Sequence, residues 1–459
     1  MTVAPFAVLF AGSLLAVTSP AADWPCYRGP DRNDTSPETG LARSWPATGP
    51  KTLWSHEVEN GFGAPSVMQG RVYYLGRDNK AMRDKVHCLD LATGNDLWTY
   101  EYYAYGETPY NGRSQPTVND KHVYTLGPFG DLHCIDKVTG KRVWSLNILV
   151  RPRDPVNPTA VPPPGTFTED KLGIGRQTHP KWGFTQSPLL YGDTVIVAPR
   201  SPVTAVVAFD KNTGALKWKS PPSGSLHFTH QTPLISRLAG VDQVVLWSNF
   251  HSGPAAVLAG FDALTGAKLW NLNVHKYNIP IPAPIAIGED RIFSTGGYTV
   301  GGLMIKIRNQ GGTNMVEKLF ENRNCTSMIQ CPVFYKGFIY ANSFDELHNP
   351  KFGITNRGLI CMNLKGDIVW ETGADHNFDL GNLLIADGMI FIMHGKEGTL
   401  HLVEASPEKF NELARTKVFG AESTIPMDAK IWSPMALADG KLVVRIHDTM
   451  KCLDVSAVK

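Results

Sequence analysis

The sequence predicts an all-β fold, an eight-bladed β-propeller of four-stranded antiparallel blades closed by a strand from the N-terminal side. Three observations lead there. An eleven-residue word recurs as CLDLATGNDLW (Cys88 to Trp98), CIDKVTGKRVW (Cys134 to Trp144), AFDKNTGALKW (Ala208 to Trp218) and GFDALTGAKLW (Gly260 to Trp270). Each copy follows a pair of short β-branched or aromatic runs that opens after a turn signal. The last copy stops at KCLDVSAVK, before its Gly and Trp, while PKTLWSHEV near the other end carries Trp54 with no strands ahead of it. Repetition at tens of residues means an array of one supersecondary unit, and four antiparallel strands per unit is the content of a propeller blade.

Blades one to three open at APSVMQGRVYYLG (Ala64), SQPTVNDKHVYTLG (Ser114) and QSPLLYGDTVIVA (Gln186). Two apolar runs across a polar or Gly turn read as a hairpin, and the repeated word supplies a second. Its Asp accepts from the turn backbone and its Gly takes the positive φ such a turn needs. Its Trp is the docking residue between neighbouring blades, giving Trp54, Trp98, Trp144, Trp218 and Trp270 as structural anchors. CMNLKGDIVW adds Trp370, with Asn363 in place of Asp, and the spacing persists around Phe320 and Phe419. Strand pairs opening at Pro282, Pro332, Leu383 and Pro434 complete blades five to eight. Pairing the Trp54 strand with the eighth blade completes that sheet and closes the ring.

Three segments are expected: residues 1–22 as a signal peptide, 23–48 as a leader, and 49–459 as the propeller. Met1 to Ala22 has no charged side chain and contains AVLFAGSLLAV, an apolar run too short to span a bilayer. A basic start is missing, so a disordered apolar tail is the other reading. Export to a periplasmic or extracellular space follows from the signal. No other segment is long enough to span a membrane.

A net charge of +2 without any long Lys/Arg cluster points away from nucleic acid. Of the seven cysteines, Cys88, Cys134, Cys361 and Cys452 share one repeat position with Ala208 and Gly260, which marks a small buried slot. Cys325 and Cys331 are the one local pair that a disulfide could join, and Cys26 in the leader is expected to be the readiest to react.

The eleven-residue word resembles the tryptophan-docking motif of the quinoprotein, or pyrroloquinoline quinone (PQQ)-like, β-propeller repeat family. The leader DWPCYRGPDRNDTSPETGLARSWP resembles that of an exported subfamily with Trp-Pro and Arg-Gly-Pro strings. The resemblance implies the propeller fold and leaves the chemistry open.

Chemistry in a propeller is sought where loops enter the innermost strands. Those segments carry Arg113, Gln115, Trp182, Gln186, His230, Gln231, Gln330, Lys430 and Trp432 as candidate ligand-binding residues, and Asp379 as a weak candidate base. In a propeller without a ligand the same side chains would satisfy strand-end backbone and water. His227 and His230 form an H-x-x-H without a third partner at ligand spacing, so no metal is assigned. The long proline-rich connection Val150 to Gly183 is read as a lid over the channel or a surface cover.

Two functions follow. The first is a non-catalytic binding or scaffold module, resembling the propeller lipoprotein of outer-membrane β-barrel assembly, with a protein, peptide or glycan partner at its faces and a monomeric state. Cys26 lacks the small apolar residues that precede a lipidated Cys. The alternative is a PQQ-dependent alcohol or sugar dehydrogenase with its site in the axial channel. That reading implies PQQ with Ca²⁺ as cofactors, a Trp floor at Trp182 or Trp432 and a base at Asp379. No adjacent Cys pair and no dense set of acidic ligands at the mouth supports it, so no cofactor is expected.

Overall fold

The computed structural model describes residues 22–104, 108, 112–148, 172–173, 182–199, 201–224, 230–248, 255–275, 281–297, 300–344, 356–420 and 430–457. These form eight blades of four antiparallel strands, one of them extended by the short parallel strand Thr35–Ser36, with one three-residue 3-10 helix among the described residues. Blade 1 runs Ser66–Met68, Arg71–Asp78, Arg83–Asp90 and Asp96–Tyr103 from axis to rim, and blade 2 runs Thr117–Val118, His122–Leu126, Asp131–Asp136 and Arg142–Asn147. Blades 3 to 7 repeat the order, with inner strands Leu189–Tyr191, Leu234–Leu238, Ile285–Ile287, Val333–Tyr335 and Leu383–Ala386. Blade 8 takes Ala436–Ala438, Lys441–Arg445 and Thr449–Asp454 from the C-terminal side and its outer strand, Lys51–Glu57, from the N-terminal side. Trp54 lies opposite Cys452 in that pair. The ring therefore closes as the unpartnered Trp54 strand required.

The repeated word is a lock between neighbours. In blade 2, Asp136 Oδ1 accepts from the Val138 and Thr139 amides and the Thr139 hydroxyl, which pins the turn. Asp90, Asp210 and Asp262 do the same in blades 1, 3 and 4. The pinned turn presents Gly140, at φ 69°, to the Trp98 indole of blade 1, where a Cβ would come within 2.7 Å of the ring. Trp98 Nε1 then donates to the Lys137 carbonyl at 3.1 Å. Trp54 docks likewise on Gly94 and Leu91 O, and Trp144 on Gly214 and Lys211 O. The small residue of the word faces this Trp across the ladder: Cys88 opposes Trp98, Cys134 Trp144 and Cys361 Trp370. At Gly260 a Cβ would sit 2.3 Å from the Trp270 nitrogen. The slot is small because an indole fills it.

Where a neighbour loses the word, the docking changes. Blade 5 turns at Gly311 and Gly312 without the pinning Asp, and Trp270 of blade 4 donates to Gln243 of its own blade at 2.7 Å. Phe320 of blade 5 keeps the contact without a donor, lying 2.9 Å from a Cβ at Gly366.

All seven cysteines are buried free thiols. Burial raises Cys88 and Cys361 to about 11 and Cys134 and Cys452 to about 12. Cys325 and Cys331 are not bridged. Cys26 departs from the sequence expectation of a reactive leader thiol: it is 5% exposed and its Sγ reaches the Gly29 carbonyl at 3.1 Å.

Candidate functional site

The mouth of the channel is built where chain segments descend into the inner strands, most of them ending in a residue followed by Pro. A chain of bonds runs from blade to blade at this level. The Gln115 amide donates to Ser187 Oγ, the Ser187 amide to Thr232 Oγ1, and the Ala283 amide to Cys331 Sγ. Asn382 Nδ2 donates to the Trp432 carbonyl, and Ser433 Oγ reaches Gly63 O. Cys331 thus occupies the place that Ser and Thr hold in sister blades, a polar acceptor for the preceding blade.

Several candidate residues belong to this ring. Gln115 Nε2 donates to Cys26 O, Pro65 O and Ser66 Oγ, at 3.2, 2.8 and 3.0 Å. Gln186 forms a closed pair with Ala198, donating to its carbonyl and accepting from its amide. Gln231 and Gln330 are each 1% exposed. Buried amides of this kind need partners whether or not a ligand exists.

The remaining candidates gather in two groups. On blades 8 and 1, Trp432 stacks on Phe62 with centroids 5.1 Å apart, and Lys430 Nζ lies 4.5 Å from the Trp432 ring centre. His447 meets the Phe62 ring edge-on at 4.4 Å, and burial beside Arg445 lowers its pKa. On blades 2 and 3, the Arg113 guanidinium lies 5.7 Å from the Trp182 ring. Trp182, Arg113, His230, Lys430 and Trp432 are half-buried. Each cation over a ring is worth about 0.5–1 kcal/mol at such partly exposed sites. Phe62 and His447 were not among the sequence candidates, although GFGAP at the head of blade 1 shares the Pro ending of the other mouth segments.

Asp379 sits at the mouth of blade 7 in a left-handed conformation, φ 53°. Its Oδ1 accepts from the Leu380 amide and its Oδ2 pairs with Lys396 Nζ at 2.9 Å. Both oxygens are thereby engaged within the chain. Among the described residues no group of three His, Cys, Asp or Glu stands close enough to share a metal ion. His227, and the proposed lid apart from residues 172–173 and 182–183, lie outside the described residues.

The channel below the mouth holds the chain's own leader. Cys26 O meets Gln115 on blade 2, while Arg28 Nη2 donates to Pro332 O on blade 6 at 3.2 Å. Nothing in the sequence placed the leader here.

A profile of the family described as outer membrane protein assembly factor BamB matches residues 36–160. No curated protein matches the chain by sequence. Among solved structures the fold is similar to BamB from Moraxella catarrhalis, with TM-score 0.57, 13% identity, and coverage of 89% of this chain and 98% of that one. It is equally similar to quinohemoprotein alcohol dehydrogenase from Comamonas testosteroni, with TM-score 0.61, 13% identity, and coverage of 97% and 82%. A computationally designed protein, Ika8, has TM-score 0.51 at 10% identity, covering 87% and 98%. The profile match gives a likeness to that family over residues 36–160. At these identities the structural likenesses speak for the fold. No helix among the described residues is long and apolar enough to cross a membrane.

Proposed function

We propose that the chain is an exported, non-catalytic β-propeller, a binding or scaffold module that works as a monomer in a periplasmic or extracellular space. Its partner is a protein, peptide or glycan held at the mouth. The observation that carries this reading is the engagement of the polar mouth residues by the chain itself. Gln115 and Gln186 close blade and backbone contacts, and Asp379 is held by Lys396 and the Leu380 amide. A general base must be within reach of a substrate proton; an aspartate whose two oxygens are engaged by Lys396 and the Leu380 amide is poorly placed for that role. The half-buried indoles of Trp182 and Trp432, each beside a cation, put aromatic surface next to positive charge at the mouth. Such surface suits contact with a sugar ring or a peptide side chain.

Calorimetry of the mature protein with PQQ plus Ca²⁺, read with an absorbance spectrum, decides against the dehydrogenase alternative or for it. No saturable heat is expected. Micromolar, Ca²⁺-dependent binding would overturn the proposal. A glycan and peptide array gives the positive arm, in which Arg113→Ala and Trp432→Ala each weaken retention of any ligand found.

A further inference from the structure

The leader makes a loop with both ends at one face of the ring. Asp23 Oδ1 accepts from the Gln69 amide, Glu38 from the Asp439 and Gly440 amides, and Asp387 Oδ2 from the Leu41 amide. Gln69, Asp387, Asp439 and Gly440 lie in the turns between inner and second strands, at the face opposite the mouth. Between those ends the chain climbs the channel. Trp24 bridges Val67 on blade 1, Pro25 O accepts from the Val118 amide on blade 2, and Arg32 Nη2 donates to Leu190 O on blade 3. At its summit Tyr27 and Arg28 meet Cys331 and Pro332, where the inner strand of blade 6 begins. The return leg pairs Thr35–Ser36 in parallel with Ile385 and Ala386 on blade 7. Residues 26 and 28 thus bond to blades 2 and 6, which face each other across an eight-bladed ring.

We propose that Asp23–Leu41 is an axial strap that shuts the channel from the turn face up to the level of Cys331, so that the propeller is a blind cup entered only from the mouth. This goes beyond the binding reading and holds whether or not the mouth takes a ligand. Inner strands are sheet edges whose backbone groups face the channel, and the strap supplies partners to them at Val67, Val118 and Ile385. Its packing is close. Trp24 is 1% exposed, and the gap left among Tyr27, Asp34, Cys331 and Asn382 is about 10 Å³, the room of one water. Three non-glycine residues of the loop, Arg28, Arg32 and Asp34, take φ of 67°, 55° and 60°. Such backbones persist only where the surroundings over-determine them. The buried pairing of Arg28 with Asp34, and the reach of Arg28 to Pro332 O, do so here.

Native thiols read the strap directly. Cys331 lies on the channel wall with its Sγ 3.3 Å from the Tyr27 hydroxyl, whereas Cys88, Cys134 and Cys361 lie inside blades against their Trp partners. Alkylation of the intact protein with a small maleimide, scored per cysteine by mass spectrometry, should leave Cys331 as slow as the blade thiols. Tyr27→Ala should speed Cys331 by about tenfold or more while the blade thiols keep their rates, as for a local opening. If all four accelerate together the variant has unfolded, and Arg32→Ala, which releases the strap from blade 3 alone, is scored by the same rule. Fast labelling of Cys331 in the unmodified protein, or no selective acceleration in the scored variant, would overturn the strap.

Discussion

The rim and the axis of this propeller solve one problem by different means. At the rim, neighbouring blades are joined by a single word used repeatedly: an Asp pins a turn, the turn offers a Gly, and the Trp of the blade before lies on it. Trp54, Trp98 and Trp144 each do so with an indole bond to the turn carbonyl. At the axis the joints are individual. Ser187, Thr232 and Cys331 each accept a neighbour's amide, and a loop from outside the repeats crosses the ring with residues used once. The difference teaches which contacts join neighbouring blades at each place: an indole on a glycine turn at the rim, buried polar pairing at the axis.

The largest test of that division is the seam where both meet. Deleting Lys51 to Val58 removes the outer strand of blade 8 and with it the Trp54 dock on Gly94, leaving Cys452 without its cross-strand partner. The expected result is loss of the cooperative melt and rapid alkylation of Cys452. An unchanged melt would break the account of closure.

Next comes a direct contest between rim and axis. Trp144→Ala empties a buried indole site between blades 2 and 3 and should cost about 3–5 kcal/mol. Gln115→Ala, at the axis between blades 1 and 2 and the leader, strands the Cys26 and Pro65 carbonyls, for about 1–3 kcal/mol. Urea melts of the two variants rank them, and an axis variant costlier than the rim variant would reverse the comparison.

Within the word itself, Asp136→Ala releases three donors in an exposed turn and should cost about 1–2 kcal/mol by the same measurement. Asp136→Asn should cost less, because Asn363 already holds two amides at this place in blade 6. Equal losses for the two would mean that the carboxylate charge, and not the acceptor oxygen, pins the turn.

The two regions also differ in how far the sequence discloses them. The rim was legible because each docking contact demands the same residue types at the same spacing, so the geometry is written as a repeat. Blade 5 shows the limit: its turn lacks the Asp and Gly spacing, and the sequence did not foretell that Trp270 would turn to Gln243. The axis was legible only as a group of polar residues. Gln115 and Gln186 stood out by position, yet their partners, Cys26 O and Ala198, are set by three-dimensional proximity and carry no spacing rule. The leader was invisible as an axial element, since Arg28 and the carbonyl of Pro332 are 304 residues apart.

The finest test separates the two components of the rim lock, the indole's area and its N–H. Trp144 Nε1 donates to Lys211 O at 3.0 Å, whereas Trp218 Nε1, docked on Gly266 in the same way, is buried with no acceptor among the described residues. Phenylalanine keeps most of the ring area and removes the donor at both sites. At Trp144 the change leaves a carbonyl without its partner and should cost about 1 kcal/mol beyond the lost area. At Trp218 it deletes a donor that has no acceptor among the described residues, so the desolvation relieved offsets part of the area lost. Trp144→Phe should therefore lower the melting temperature by more than Trp218→Phe. The two rings sit on equivalent glycines of adjacent blades, so their difference isolates the bond. Equal shifts would assign the rim lock to apolar contact alone, and its repeated carbonyl to geometry without energy.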